Sequence, residues 1–205
     1  MRVWLRASLR WHWRAHEVVD MITRAKKRDG PEIRRLTASA GVFVPSAGAC
    51  VIELWDEYRR YGSESGYDFV VFRDGAQSVL GYACYGHHPL TEGTFDLYWI
   101  AVDPRARGRG IARSLLGHVE YQVLREGGRL LVVETSSTPD YLPAQRLYQA
   151  CGYGREAVVC DFHRPGDDLL LYTKLLKPEG LRLGTPALHP RPVCLAAEGV
   201  DEYVS

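Results

Sequence analysis

The chain has 205 residues and a formal net charge of +1. That length holds one well-buried domain, and so small a charge gives no global field to draw in nucleic acid or a membrane surface. Its five cysteines, at 50, 84, 151, 160 and 194, form no C-x-x-C pair, and no apolar run is long enough to cross a bilayer. Neither a zinc site, nor a disulfide framework, nor a membrane span is therefore expected. A reducing cytoplasm fits this cysteine usage. Cys84 and Cys160 lie in apolar strand-like runs and read as small core residues.

Residues 1–16 carry Arg and aromatic residues without an acidic residue before Glu17, apart from the domain proper. They read as a frayed extension, a surface-seeking amphipathic helix or a transit-like segment. The domain is expected over 17–177, beginning with a strand through Val18, Val19, Met21 and Ile22. Asp29-Gly-Pro-Glu32 is a helix start, with Asp29 as cap, Pro31 in the first turn and Glu32 completing a capping box; the helix carries Ile33 and Leu36. A second helix runs through Val51, Ile52, Leu54, Trp55 and Tyr58, which share one face, and stops at Gly62–Gly66.

Asp68–Arg73 and Val79–Tyr85 are strands joined by an Asp74-Gly75 turn, a hairpin pattern in which apolar strands flank a turn pair. A loop from His87 to Gly93 leads to a long strand, Thr94–Val102. A helix follows from about Arg109 to Glu126, halted by Gly127-Gly128. Leu130–Glu134 is a short buried strand, and Pro143–Cys151 a helix with Gly152 beyond its end. Strands near Tyr153–Val159 and Leu169–Leu175, connected through Asp161–Asp168, close the domain. From 178 to 205 several prolines and little periodicity suggest a loosely ordered tail.

The most informative stretch is Tyr98 to Leu116: a strand, Pro104, a basic glycine-rich turn and an apolar helix. The first N–H groups of a helix lack intrahelical acceptors, and the helix dipole favours an anion there. A Walker loop requires Gly-Lys-Ser/Thr, but Ile111 and Ala112 follow Gly110; a dinucleotide fingerprint requires a third glycine where Arg113 stands. An ordinary glycine-rich turn is the plain alternative. Arg107-x-x-Gly110-x-Ala112 resembles the coenzyme A pyrophosphate loop of the GNAT superfamily of N-acetyltransferases, and Arg105-x-x-Gly108-x-Gly110 is a second register. The first places Ile111, Leu115 and Leu116 on the helix as in that family. About thirty residues on, Tyr148 precedes Gly152-Tyr153 by four positions, which resembles the family's next motif. The element order agrees as well, with the best match from Gly81 to Lys174.

The resemblance implies an α/β (α+β) fold, a central mixed and mostly antiparallel sheet flanked by helices. It also implies acetyl-CoA as donor, with no metal, and a primary amine as acceptor, most simply a small molecule. Backbone N–H groups across Gly108, Arg109, Gly110, Ile111, Ala112 and Arg113 would hold the pyrophosphate, with Arg107 and Arg109 adding charge. The backbone of Ile100, Ala101 and Val102 would pair with the pantetheine arm, and a bulge nearby would turn an N–H toward the thioester oxygen. Tyr148 matches the acid that protonates the departing thiolate, whereas Asp96 and Glu134 are alternative bases; water chains could also serve. Thr135, Ser136 and Ser137 could contact cofactor or cap a turn, and His87 and His88 could shape the acceptor pocket. Asp161, His163, Asp167 and Asp168 could face a cationic acceptor or simply be solvated. Transfer of a longer acyl group, a protein acceptor and a non-catalytic acyl-CoA sensor are the rival readings. No nucleic-acid or membrane partner is expected, and oligomeric state stays open, a homodimer included.

Overall fold

The computed structural model describes residues 22–40 and 45–176. The extension at 1–16, the strand residues Val18, Val19 and Met21, and the tail from 178 lie outside the described residues. The elements are strands β1 (Ile22–Arg24), β2 (Asp68–Arg73), β3 (Val79–His87), β4 (Thr94–Val102), β5 (Leu130–Ser136), β6 (Gly154–Arg164) and β7 (Asp167–Leu175). The α-helices are α1 (Gly30–Ser39), α2 (Pro45–Tyr61), α3 (Ile111–Arg125) and α4 (Leu142–Ala150). The seven strands form one sheet in the order β1-β2-β3-β4-β5-β7-β6. Only β4 and β5 are parallel neighbours; the other pairs are antiparallel. This is the expected mixed sheet flanked by helices.

Apolar residues alternate along the central strands, so the sheet buries both faces. One core gathers Val70, Ala83, Phe95, Leu97, Leu131 and Val133 against Ile111, Leu115, Leu116 and Val119 of α3. The other gathers Phe69, Val71, Tyr82 and Cys84 against Ile33 and Leu36 of α1 and Val51 and Trp55 of α2. Such burial supplies most of the folding force, since each fully buried large aliphatic side chain contributes about 1.5–3 kcal/mol.

Local expectations fail where tertiary partners compete. Asp29 makes no side-chain cap bond to α1. Its carboxylate instead accepts from the Lys26 N–H at 2.8 Å and pairs with Arg73 on β2 at 2.7 Å, and Glu32 pairs with Arg35 rather than closing a box. α3 begins at Ile111, two residues after Arg109, because Gly110 takes the non-helical cap position. Strand β6 runs on to Arg164, so Asp161 is in it and not in a loop. Cys84 is buried as expected, but Cys160 is exposed on that edge strand, whose pairing partner among the described strands is β7.

Thr37 on α1 and Tyr82 on β3 share a buried 2.7 Å hydrogen bond between the two layers. Thr37 also donates to the Ile33 carbonyl at 2.8 Å. Thr37→Val keeps the shape but strands the Tyr82 hydroxyl, and the expected loss is about 1–3 kcal/mol in urea unfolding. Adding Tyr82→Phe should restore part of that loss; a double variant no more stable than the single one would show that the bond does not set the cost.

Candidate active site

The site begins where two strands separate. β4 and β5 pair from Thr94↔Leu130 to Leu97↔Val133 and no further. At that point β4 bulges: Cys84 pairs with Trp99 but Tyr85 with Leu97, leaving Tyr98 as the extra residue. A bulge bends its strand and breaks alternation. Tyr98 and Trp99 consequently both pack toward the core of α1 and α2, while Ile100 and Val102 pack toward α3. Beyond the bulge, β4 stays paired to β3 through Val102↔Gly81, but no described strand pairs with its other edge. Backbone groups on that edge are open to an extended ligand.

A cleft of about 450 Å³ fills the gap, at the carboxyl ends of the two parallel strands. Ile100, Ala101 and Val102 form one wall, and Arg107, Gly108, Gly110, Ile111, Ala112 and Arg113 close one end. Glu134 and Thr135 on β5, and Tyr148 on α4, line the opposite side. The cleft thus joins every residue expected at the donor site except Arg109. Of the candidate bases it is lined by Glu134 and not by Asp96.

The loop at the closed end is set by the chain's own chemistry. Gly110, with φ 80°, is the N-cap of α3 and offers no side chain to its first turn. The first helical bond across the cap is Ser114 N–H to the Gly110 carbonyl at 3.0 Å, so the N–H groups of Ile111 to Arg113 have no intrahelical acceptor. Backbone donors left open in this way suit an anion. Two interactions that sequence reasoning missed hold the loop in place. Asp103 accepts from the Arg105 N–H at 2.9 Å and from the Arg35 guanidinium on α1 at 2.8 Å. Arg107 donates to the Ala40 carbonyl after α1 at 3.1 Å, so its charge is partly committed to the scaffold. No local pattern links 35 to 103 or 40 to 107, because both contacts exist only once α1 lies across the sheet.

Tyr148 is 4% exposed and packs against the rings of Tyr153 and Tyr172, at 5.9 and 5.8 Å. Burial pushes its phenol pKa up, so it holds a proton at neutral pH. Its spacing to Gly152-Tyr153 has a physical cause. The Tyr153 N–H donates to the Tyr148 carbonyl and the Gly152 N–H to the Gln149 carbonyl, both at 3.0 Å. With Gly152 at φ 84°, this is a Schellman cap, and the Tyr148–Tyr153 ring contact is its hydrophobic partner.

Asp96 lies on the paired part of β4, opposite Gly86 and Val132. Its carboxylate meets His88 Nδ1 at 2.6 Å. Tyr98, two residues on, lines the cleft and meets Tyr67 edge-on at 5.4 Å. His87 turns the other way, against Phe95. Ser136 donates to Asp167 and Ser137 to no acceptor in the cleft; its hydroxyl instead accepts from the Asp168 N–H at 2.9 Å. Asp168 in turn accepts from the Asp161 N–H, and Asp161 from the Gly166 N–H. These serine and aspartate side chains fasten the last hairpin to β5.

The sequence model of the acetyltransferase (GNAT) family matches residues 36–153, more than half of the chain. The chain belongs to the GNAT acetyltransferase family. It is 29% identical over 136 residues to the L-2,4-diaminobutyric acid acetyltransferase of Streptomyces coelicolor, covering 66% of this chain and 75% of that one. It is 30% identical over 135 residues to the mycothiol acetyltransferase of Actinosynnema mirum, covering 62% of this chain and 42% of that one, so it matches less than half of that relative. A crystal structure of a GNAT-family protein from Desulfovibrio desulfuricans superposes with a TM-score of 0.73 at 41% identity, over 76% of this chain and 98% of that one. No described helix of this GNAT acetyltransferase is long and apolar enough to cross a membrane.

Two outcomes follow for the scaffold of the cleft. A side chain at Gly152 must adopt the left-handed region, so Gly152→Ala should lower stability by about 1–2 kcal/mol in denaturant unfolding. Unchanged stability would remove the cap from the account of Tyr148. The Arg105 N–H and then Arg35 hold the Asp103 carboxyl below its ordinary range. Stability from that depression is fully present above the ordinary carboxylate pKa and is lost as pH falls through the lowered value. Asp103→Asn should therefore flatten the acid limb of the stability–pH curve; an acid limb identical to that of the unaltered chain would refute it.

Proposed function

We propose that the chain transfers the acetyl group of acetyl-CoA to the primary amine of a small molecule, by direct attack while both substrates are bound. The observation that carries this reading is the cleft itself. One opening presents an unpaired strand edge, a backbone anion site and a protonated buried phenol in a row. Those are the three needs of a coenzyme A thioester: a partner for the amide-rich arm, a seat for the pyrophosphate, and an acid for the thiolate.

The donor would lie with its pantetheine arm along Ile100 to Val102 and its pyrophosphate over Gly108 to Arg113, nearest the N–H groups of Ile111 to Arg113. A backbone N–H at the Tyr98 bulge would meet the thioester oxygen as negative charge develops there. The amine, freed of its proton, attacks the carbonyl carbon; as the tetrahedral intermediate collapses the thiolate takes the Tyr148 proton, and the proton that the nitrogen loses in becoming an amide restores Tyr148. Glu134 on the facing wall would attract the ammonium group of an acceptor. The small-molecule preference is supported by relatives named for diaminobutyrate and mycothiol acetylation.

Gly110→Glu puts a carboxylate at the anion site and a side chain at φ 80°. It should abolish acetyl-CoA binding by calorimetry while the protein stays folded; retained binding would sink the proposed donor site. Tyr148→Phe should reduce kcat about 10²- to 10⁴-fold, the usual worth of a positioned acid, with acetyl-CoA affinity little changed. Equal turnover by the two proteins would take the acid role from Tyr148. Complete absence of turnover by the unaltered chain with every amine, together with intact acetyl-CoA binding, would favour the non-catalytic sensor.

A further inference from the structure

The sheet ends in a strand that neither core reaches. β6 pairs with β7 on one side, and its outer edge has no partner among the described strands. All eleven of its residues are exposed, and none belongs to either core. Successive strand residues point to opposite faces, yet Val158 is 44% exposed, Val159 47%, and Phe162 further on 58%. Natural edges are blunted by brevity, lysine, proline or bulges. β6 has no lysine and no proline. Its bulges fall between Arg155 and Ala157 and between Val159 and Arg164. Between them Ala157, Val158 and Val159 keep one-to-one register with β7. Val158 is thus the midpoint of a regular, apolar stretch of edge that is bare on both faces.

We propose that β6 pairs with β6 of a second copy of this chain, antiparallel about a twofold axis at Val158, joining two sheets into one. Charge complementarity decides both the occupant and the register. Arg155 and Glu156 precede the apolar middle, and Asp161 and Arg164 follow it. About an axis at Val158, Ala157 faces Val159 of the partner subunit, and Arg155 faces Asp161 of the partner subunit. Gly154 faces Phe162 of the partner subunit, whose ring covers backbone that a glycine leaves bare. The twofold repeats each contact. Opposite charges therefore meet at both ends and apolar side chains meet between them. Like charges directly opposed would destabilise the pair. Moving the axis to lie between Val158 and Val159 sets Glu156 against Asp161, and a parallel pairing sets Arg155 against itself. An axis at Cys160 matches Glu156 with Arg164, but it runs the ladder through Asp161, whose φ of 52° lies outside strand geometry.

The groups that this register brings together are available. Arg155 forms no ion pair among the described residues. The Asp161 carboxylate accepts the Gly166 N–H through Oδ1 at 2.7 Å, which leaves Oδ2 for a guanidinium. The edge is also held in shape before it pairs. Thr173 donates to Glu156 at 3.0 Å at one bulge, and the Asp161 N–H donates to Asp168 at 2.9 Å at the other. A pre-formed edge loses less freedom on association than a mobile one. No residue of β6 lines the cleft, so the pairing leaves both donor sites open.

The test follows the full chain by sedimentation across a range of concentrations, with twice the chain mass expected and monomer appearing on dilution. Val158→Lys sets two like charges on the axis and should give a monomer whose circular dichroism is unchanged, because position 158 is exposed. Val158→Cys sets two sulfurs on the axis, where antiparallel Cα atoms lie about 4.5–5.5 Å apart, a separation that a disulfide spans. Mild oxidation should link that variant into a covalent dimer and leave the unaltered chain, whose Cys160 is off the axis, unlinked. Arg155→Asp should weaken the dimer about 10-fold through its two repulsive contacts. Adding Asp161→Asn should recover part of that loss, since Asn tolerates the left-handed backbone and still accepts the Gly166 N–H. A monomer at every concentration overturns the pairing and leaves the edge to another occupant. A dimer that survives Val158→Lys, or a Val158→Cys chain that links no faster than the unaltered one, puts the interface elsewhere and overturns it too.

Discussion

The rest of the structure depends on one interruption in backbone pairing. β4 and β5 run parallel for four paired positions and then separate at Leu97 and Val133, where Tyr98 bulges out of register. Had the ladder continued, the edge of Ile100 to Val102 would be satisfied by β5 and closed to any ligand. Because it stops, a strand edge inside the molecule is left without a pairing strand among the described residues. Natural sheets cover or pair such edges, and here the edge lines a cleft instead.

The two layers of helices keep that opening from collapsing. α3 is seated on one face by Leu115, Leu116 and Val119, which fixes its N-terminus at the end of β4. α1 crosses the other face and reaches the same loop through Arg35 on Asp103 and through the Ala40 carbonyl on Arg107. β5 is tied to the last hairpin by Ser136 and Ser137, so it cannot swing back to β4 beyond Val133. On the far side, Glu120 of α3 accepts from Tyr153 at 3.0 Å and from Lys174 on β7 at 2.7 Å. These polar contacts lie at the rim and the apolar ones in the middle. The cleft is consequently a gap between rigid pieces and not a soft spot in one core.

Such an arrangement separates two kinds of specificity. On the proposed reading the donor side is made largely of backbone: strand edge, helix N-terminus and glycine cap. Main-chain chemistry recognises amides and phosphates and leaves side chains free to vary. On the same reading the acceptor side is made of side chains, Tyr98 of β4 and Glu134 of β5 both lining the cleft. Relatives with one fold can therefore share a donor and differ in the amine that they acetylate.

Sequence by itself determined the order of the elements, because the 2-residue and 3.6-residue apolar periods are local properties of each segment. The resemblance to two family motifs marked Gly110 and Tyr148, and it could do so because the helix cap and the Schellman cap that the structure shows there are each built from consecutive residues. The tertiary structure alone decided what non-local partners did with the polar groups. Asp29 left its cap for Arg73, Cys160 fell on an uncovered edge, and Ser136, Asp167 and Asp168 became fasteners. It likewise decided which candidate bases meet the cleft. Asp96 and Glu134 are separated by 38 positions in the chain, and only the parallel register of β4 and β5, ending at Val133, leaves Glu134 lining the cleft and Asp96 in the paired ladder. Registers between distant strands are set by the packing of whole faces, and no local stretch of residues carries that information.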